Sequence, residues 1–350
     1  MEESFEKPRR RARYAGRNPR TFQEKYKEHQ PEKYPEDIRK IVECGKTPAG
    51  MHRPIMVDEV MHVLALTAGD TAVDCTLGYG GHASAMLKAI QPGGCFLGVD
   101  ADPIELPKTE ARLRSLVAPD ASITLRRMNF AGVSTFVAAE APDGVDAVLV
   151  DLGCSSMQLD DPTRGFSFKF DGPLDMRMNP NRGVSASELL TSLNATKLEA
   201  ILVENSDEPH AARIAAAILR TQQKGRIEST LALANSVRQQ MRELGADELD
   251  RTVRRVFQSL RIAVNEEFQS LDAFLSQIPH LLKKGGRIAM IAFHSGEDRR
   301  VKAAFKQGFE SGCYRFISKE IIRPSIEEQQ SNQRSKSAKL RFAIRSDAGH

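Results

Sequence analysis

The stretch Val73-Asp74-Cys75-Thr76-Leu77-Gly78-Tyr79-Gly80-Gly81-His82 constrains this chain more than any other. An apolar run enters a glycine-rich turn and then opens a helical pattern. Such a junction gathers free backbone N–H groups and the positive end of a helix at one point. Eighteen residues beyond His82, a second apolar run, Cys95-Phe96-Leu97-Gly98-Val99, ends on Asp100. A glycine turn followed by an acid at the next strand end is how a doubly wound sheet holds a nucleoside. Gly78, Gly80 and Gly81 permit a turn that a ligand can approach closely. The helix opening near His82 offers its first amides to an anionic group. Asp100, an acceptor-only carboxylate, suits a pair of ribose hydroxyls, or caps the helical segment that begins near Pro103.

The surrounding pattern extends this unit into a sheet. Strands are expected at 71–76, 95–100, 123–125 and 145–150, the last ending on Asp151, with helices at 82–90 and 104–116 between them. Alternation at this pitch means a parallel sheet with right-handed crossovers. From Asp160 to about Arg255 no strand pattern is found. Helical stretches at 186–193, 195–204, 211–220 and 230–241 read as a domain inserted after the fourth strand. A long helix from Phe257 to about Leu282 then leads into a fifth strand at 287–293, a helix at 298–309 and an edge strand at 339–344. In the expected division, residues 51–159 and 257–350 form the sheet domain, and 160–256 form the helical insert. Residues 1–50 form a flexible basic extension, with Arg9, Arg10, Arg11, Arg13, Arg17 and Arg20 clustered and no apolar periodicity.

Charge placement bears on partners. Residues 1–46 carry 13 Lys/Arg against 9 Asp/Glu, while the remainder is balanced at 37 of each. The basic bias thus lies in the extension, which reads either as an arm for RNA phosphates or as a solvated tail. No apolar run is long enough to span a bilayer and no signal-peptide pattern opens the chain, so a cytoplasmic protein without a membrane partner is expected. The five cysteines are odd in number and form no CxxC pair, which argues against a disulfide framework or a structural zinc.

Several further blocks identify a family. They are His52-Arg53-Pro54-Ile55-Met56-Val57-Asp58-Glu59, Asp151-Leu152-Gly153-Cys154-Ser155-Ser156-Met157-Gln158-Leu159-Asp160-Asp161, Arg164-Gly165-Phe166-Ser167-Phe168 and Asp171-Gly172-Pro173-Leu174-Asp175-Met176-Arg177-Met178. Phe257–Glu267, Phe293-His294-Ser295 with Glu297-Asp298-Arg299, and Ser337–Arg341 complete the set. With the glycine stretch, they make residues 52–345 resemble the bacterial 16S ribosomal RNA cytosine-N4 methyltransferases of the MraW type. The resemblance implies an α/β fold of the class I methyltransferase kind, Rossmann-like, with a mostly parallel sheet and an inserted all-helical domain. It implies S-adenosylmethionine as cofactor, 16S rRNA in the small ribosomal subunit as partner, and transfer to the exocyclic amine of one cytidine in the decoding region. Oligomeric state is not implied. By the same resemblance Gly80, Gly81, His82, Asp100, Phe130, Asp151 and Gln158 hold the cofactor, joined by Gly78 from the turn. The chain departs from the family pattern at Cys75, Cys154 and Gly296. It departs again at Leu249-Asp250-Arg251 and Asn205-Ser206-Asp207-Glu208, where contacts to RNA would lie.

The chemistry of such a transfer selects residue types. The amine lone pair of cytosine N4 is conjugated into the ring, so catalysis needs acceptors that fix the N–H bonds while nitrogen pyramidalises. Asp151, Ser155 and Ser156 are the candidate catalytic group, with Asp151 at the meeting of cofactor and base. Asp171, Asp175, Arg177 and His294 are candidate substrate contacts; structural ion pairs and an ordinary hydrogen-bonded histidine are the alternatives. Cys154 suggests a covalent mechanism, but N4 transfer needs no nucleophile, and a packing role is preferred. No spacing of carboxylates or histidines supports a metal. Arg182, Arg251–Arg255, Arg334, Lys336 and Lys339 are further candidates for phosphate contact. Two other readings stand beside the leading one: a methyltransferase of the same fold acting on protein or a small molecule, and a non-catalytic RNA-binding assembly factor.

Overall fold

The computed structural model describes residues 54–347, apart from the side chains of Ser156 and Met157. The basic extension expected over residues 1–50 lies outside the described residues.

The chain enters through α1 (Val57–Leu64), β1 (Thr71–Asp74), α2 (Gly81–Ile90), β2 (Cys95–Asp100), α3 (Leu106–Arg114) and β3 (Ser122–Arg127). It continues through α4 (Val133–Glu140), β4 (Val145–Asp151) and the short α5 (Ser156–Asp160). Helices α6 (Ala186–Ser192), α7 (Ala195–Ser206), α8 (Ala211–Lys224), α9 (Thr230–Gln240) and α10 (Ala246–Asn265) follow. Then come α11 (Glu267–Leu281), β5 (Leu282–Ala292), α12 (Ser295–Glu310), β6 (Tyr314–Ile317), α13 (Ile326–Ser331) and β7 (Lys339–Arg345).

The strands form one sheet in the order β3-β2-β1-β4-β5-β7-β6. β3 through β5 run parallel, and β7 lies antiparallel to both β5 and β6. The chain moves outward from β1 to β3, then returns to place β4 on the other side of β1. That reversal leaves a crevice at the carboxyl ends of β1 and β4, where open α/β sheets bind ligands. Consecutive strand residues part to opposite faces, as a period of two requires. Val73, Leu97 and Val148 pack with Phe136, Phe274 and Ile278 on one face. Ala72, Phe96 and Leu149 pack with Val60, Met86 and Leu340 on the other. Burial on both faces explains why β4 is a nearly continuous apolar run rather than an alternating one.

A third core, separate from these two, gathers residues from Phe166 to Leu260, including Leu190, Leu202, Ile214, Ile218, Val237 and Val256. Three of its helices start where polar side chains satisfy their free amides. Ser185 and Glu188 form a reciprocal capping box on α6, Asn194 caps α7, and Ser229 caps α9. Helix α10 runs across position 256, so Phe257 and Leu260 pack with the helical segment.

Two sequence expectations are corrected. The single helix expected over 257–282 is two helices, because Glu266 adopts a left-handed conformation (φ 50°) that ends α10 and starts α11. The strand at 339–345 is not an edge: it lies between β5 and β6, and the four-residue β6 forms the edge.

Candidate functional site

The glycine turn owes its form to two left-handed residues, Gly78 (φ 46°) and Gly80 (φ 69°). Gly80 is the residue before α2, and no side chain caps that helix. Its first amides therefore face the crevice end without an internal partner, the arrangement that suits an anionic ligand. The reason for the glycines differs in part from the expectation of ligand approach. A Cβ on Gly81 would stand 2.3 Å from Pro54 Cγ, and one on Gly80 would stand 2.9 Å from Thr109 Cγ2. These two admit neighbouring protein. Only Gly78 has open space on its Cβ side, with nothing nearer than 4.0 Å.

Asp100 ties the turn to the next strand. Its Oδ2 accepts from the Gly78 N–H at 2.7 Å, and its Oδ1 accepts from the Asp102 N–H at 2.7 Å. Each carboxylate oxygen retains a lone pair for a further donor. Burial pushes its carboxyl above the ordinary value, against the pull of those amides. The alternative capping role falls to Asp102, whose Oδ1 accepts from the Ile104 N–H at 2.8 Å.

Asp102 escaped the sequence reading and is a node of the site. It is 3% exposed, and its Oδ2 accepts from Gln158 Nε2 at 2.8 Å and from Arg164 Nη1 at 3.1 Å. Gln158 is further held by Ser155: the Ser155 N–H donates to Gln158 Oε1 at 3.0 Å, and the Gln158 N–H donates to Ser155 Oγ at 3.2 Å. The signal that could have found Asp102 is the acid-x-acid step at the end of β2.

Phe130 opens a 3-10 turn after β3 and packs edge-to-face on Phe274, with centroids 5.5 Å apart. The residue is half-buried.

Asp151 ends β4 beside β1. Its backbone N–H donates to Thr76 Oγ1 at 2.7 Å, which fixes the strand end. Its Oδ2 lies 3.8 Å from Nδ1 of His82. Its Oδ1 is enclosed and has no hydrogen-bond partner among the described residues. Burial, with Asp74 and Glu297 nearby, raises its carboxyl well above the usual range. His82 is 6% exposed, and burial lowers its imidazole to about 4. Its Nε2 lies 2.9 Å from the Ile55 carbonyl.

The other expected contacts have partners of their own. Arg177 grips Asp175 with two bonds, at 2.8 and 2.6 Å. Asp171 Oδ1 accepts from the Leu231 and Gly172 amides, at the start of α9. His294 stands before α12 and shares a capping box with Glu297. Burial acts to raise the Glu297 carboxyl, but His294 and Arg261 outweigh it and hold it low. Arg251, Arg254 and Arg255 pair with Glu248, Asp250 and Glu208 respectively. Arg334 pairs with Asp160, and Lys339 with Asp298. The arginine cluster on α10 is thus largely compensated by its own neighbours. Cys154 is partly buried against the helical core, and burial pushes its thiol up to about 12.

Among the described residues no group of three or more His, Cys, Asp or Glu is placed to hold a metal, and no helix is long and apolar enough to cross a membrane.

Residues 49–346 match the model of the MraW methylase family. The chain is 45% identical over 350 residues to ribosomal RNA small subunit methyltransferase H 2 of Alkaliphilus metalliredigens, covering 99% of this chain and 100% of that one. It is 46% identical over 342 residues to ribosomal RNA small subunit methyltransferase H 1 of Lachnoclostridium phytofermentans, covering 96% of this chain and 93% of that one. The uncapped helix start, the Asp100 carboxylate, the half-buried Phe130 and the Asp151 oxygen unpartnered among the described residues fit the carboxylate, ribose, adenine and reactive end of S-adenosylmethionine, the methyl donor of such enzymes. The chain belongs to the MraW methylase family.

Proposed function

We propose that this enzyme transfers the methyl group of S-adenosylmethionine to ribosomal RNA of the small subunit, at the exocyclic N4 amine of one cytidine in the decoding region of 16S rRNA, in the cytoplasm. The observation that carries the reading is Asp151. Its enclosed Oδ1, without a partner among the described residues, sits at the carboxyl end of β4 beside the glycine turn. A buried acceptor left unpaired is costly, and a substrate N–H relieves that cost.

When bound, the cofactor supplies a methyl carbon on a sulfonium, so the carbon needs no activation. The protein's task is to position the amine. Asp151 Oδ1 accepts one amine N–H and fixes its direction, so that the remaining lone pair develops toward the methyl carbon. Thr76 keeps the Asp151 backbone in place, and the Ser155–Ser156 segment borders the base. Asp100 receives the ribose hydroxyls, Phe130 lies against adenine, and Gln158 is held by Ser155 and Asp102 on the same side. Asp175, Arg177 and His294 shape the entrance through the contacts they make with their own neighbours. The helical segment from 160 to 256 presents the RNA, which must yield its cytidine from a stack.

Purified small subunits incubated with labelled cofactor, followed by mass spectrometry of nuclease-digested rRNA, test the reading. N4-methylcytidine in the decoding region is expected. Label in protein or in free metabolites, and none in rRNA, would favour the second reading and sink this one. Asp151→Ala is expected to lower turnover by at least about a hundredfold.

A further inference from the structure

The family resemblance implies that the Gly80-Gly81-His82 segment holds the cofactor, a role that the amides of the turn can fill. The His82 side chain has a direction of its own. The imidazole is buried, with Nε2 at 2.9 Å from the Ile55 carbonyl oxygen. A carbonyl accepts only, so Nε2 carries a proton and donates it. In the neutral ring Nδ1 is then a bare lone pair. That lone pair faces Asp151 Oδ2 at 3.8 Å. On the far side of the same carboxyl group, Oδ1 is enclosed and unpartnered among the described residues. The carboxyl group thus has an open acceptor at one oxygen and, near the other, a basic nitrogen whose tautomer is fixed by Ile55.

We infer that Asp151 Oδ2 and His82 Nδ1 share one proton, and that this pair, rather than Asp151 alone, takes up the proton released by the methylated amine at Oδ1. The inference rests on the N4 reading above and deepens it. As the N4–carbon bond forms, the electron pair of the breaking carbon–sulfur bond stays on sulfur and the positive charge passes to N4. The cationic amine gives a proton to Oδ1. The proton on Oδ2 moves to Nδ1, and the carboxyl group ends neutral, as it began. His82 ends as an imidazolium with Nε2 still bonded to Ile55. Asp74 from β1 and Glu297 from α12 both act on Asp151 and favour its neutral form, with Asp100 adjoining Asp74. The raised carboxyl of Asp151 and the lowered imidazole of His82 agree with a neutral pair before reaction. The 3.8 Å separation is about 1 Å beyond a hydrogen bond, and contacts of this kind tighten when substrate is seated.

His82 acts through Asp151 and is a positioning residue. Its state can be read without turnover. Nitrogen-15 spectra of the full chain labelled at histidine, with the His82 signal assigned by its loss in His82→Gln, are expected to show a protonated Nε2 and an unprotonated Nδ1 at neutral pH. A protonated Nδ1 in the neutral ring would overturn the inference, since it leaves no acceptor for Asp151. In His82→Gln the amide still offers a donor to Ile55 and an oxygen to Asp151 but takes no proton. Its cofactor affinity by calorimetry is expected within about twofold of the parent and its KM for small subunits is expected to hold. Its kcat is expected to fall by about 10- to 100-fold. An unchanged kcat would also overturn the inference. Absence of any N4-methylcytidine with the unaltered chain would instead overturn the reading on which the inference rests, and is told apart because the His82 tautomer would stand as described.

Discussion

Arg164 and Asp102 form an ion pair of 3.1 Å across 62 residues of chain, with both side chains nearly out of water. Nη2 of Arg164 donates to the carbonyls of Arg177 and Met178, at 3.2 and 2.8 Å. The Met178 N–H in turn donates to Asn265 Oδ1 at 2.8 Å, and Asn265 Nδ2 donates to the Met176 carbonyl at 2.8 Å. A planar, always charged group with donors in a fork is the residue type that can hold a carboxylate and two carbonyls together. The Asp102 side of the fork belongs to the crevice at the carboxyl end of β2, and the carbonyl side belongs to the loop that enters the helical segment.

Arg164→Met should therefore be severe. It leaves Asp102 enclosed without its cationic partner and frees two carbonyls. Breaking a buried pair from one side costs about 3–5 kcal/mol. Chemical denaturation is expected to show a loss in that range, and a loss below about 1 kcal/mol would contradict the role given to the pair.

The turn glycines should separate by cause. Gly81→Ala forces a methyl group to within 2.3 Å of Pro54 Cγ, an overpacking expected to cost about 1–3 kcal/mol. Gly78→Ala meets open space and carries only the strain of φ 46°, about 1–2 kcal/mol. Replacing Pro54 by Ala in the Gly81→Ala background should recover part of the loss, while the same change should leave Gly78→Ala uncorrected. Thermal unfolding of the four variants decides this.

Cys154 should be inert in the folded chain. With its thiol at about 12, roughly one molecule in ten thousand is ionised at pH 8. Iodoacetamide at that pH is expected to leave Cys154 unmodified until the protein is unfolded, as read by peptide mass spectrometry. Cys154→Val is expected to keep turnover within about twofold. Rapid labelling of the native protein would speak for a nucleophilic role instead.

Asp74 gives the fold a pH dependence of defined sign. Burial, aided by Asp100 and opposed by the Thr76 amide, raises its carboxyl from 3.8 to about 7. The folded chain then binds a proton that the unfolded chain has lost, so stability contributed by this group is full below about pH 4 and is lost as pH rises through about 7. Asp74→Asn keeps an acceptor for Thr76 and removes the titration. It should be more stable than the parent at pH 8, with the advantage shrinking toward pH 4. Each tenfold difference in proton affinity between the folded and unfolded chain is worth about 1.4 kcal/mol. An advantage that does not change between pH 4 and pH 8 would show that Asp74 does not titrate differently in the two states.

Much of this architecture is written in hydrophobic runs. β2 at Cys95–Asp100 is found where the apolar run ends on an acid, and all four helices expected from Ala186 to Met241 are present, because long periodic faces must bury against something. Features set by a single backbone angle or by distant packing are not written there. Glu266 gives no sign in its residue type that it will leave the helical conformation. β6 has four residues, two of them exposed, and carries no alternating pattern to read. The internal position of β7 depends on β6 pairing with it. At the site, Asp100 and Asp151 announce themselves by their place at strand ends, while Gln158, on the short helix α5, is legible only through the family resemblance. Asp102 shows only the acid-x-acid step after β2, and its pairing with Arg164 does not show at all, since an ion pair spanning 62 residues leaves no local trace. The surface arginines are legible as charges but not as pairs, because partners such as Glu208 for Arg255 and Asp160 for Arg334 come from elements distant in sequence.

The contacts of Pro54 and Ile55 set a limit on how far this chain can be shortened from its front. The first helix begins at Val57, and a fold-based trim would stop there. Such a cut would remove the wall behind Gly81 and the carbonyl that orients His82, and would leave every element of the sheet intact. The truncated protein would retain its spectroscopic signature of folding and lose the register of its turn. A trim that keeps this turn in register must therefore retain Pro54 and Ile55.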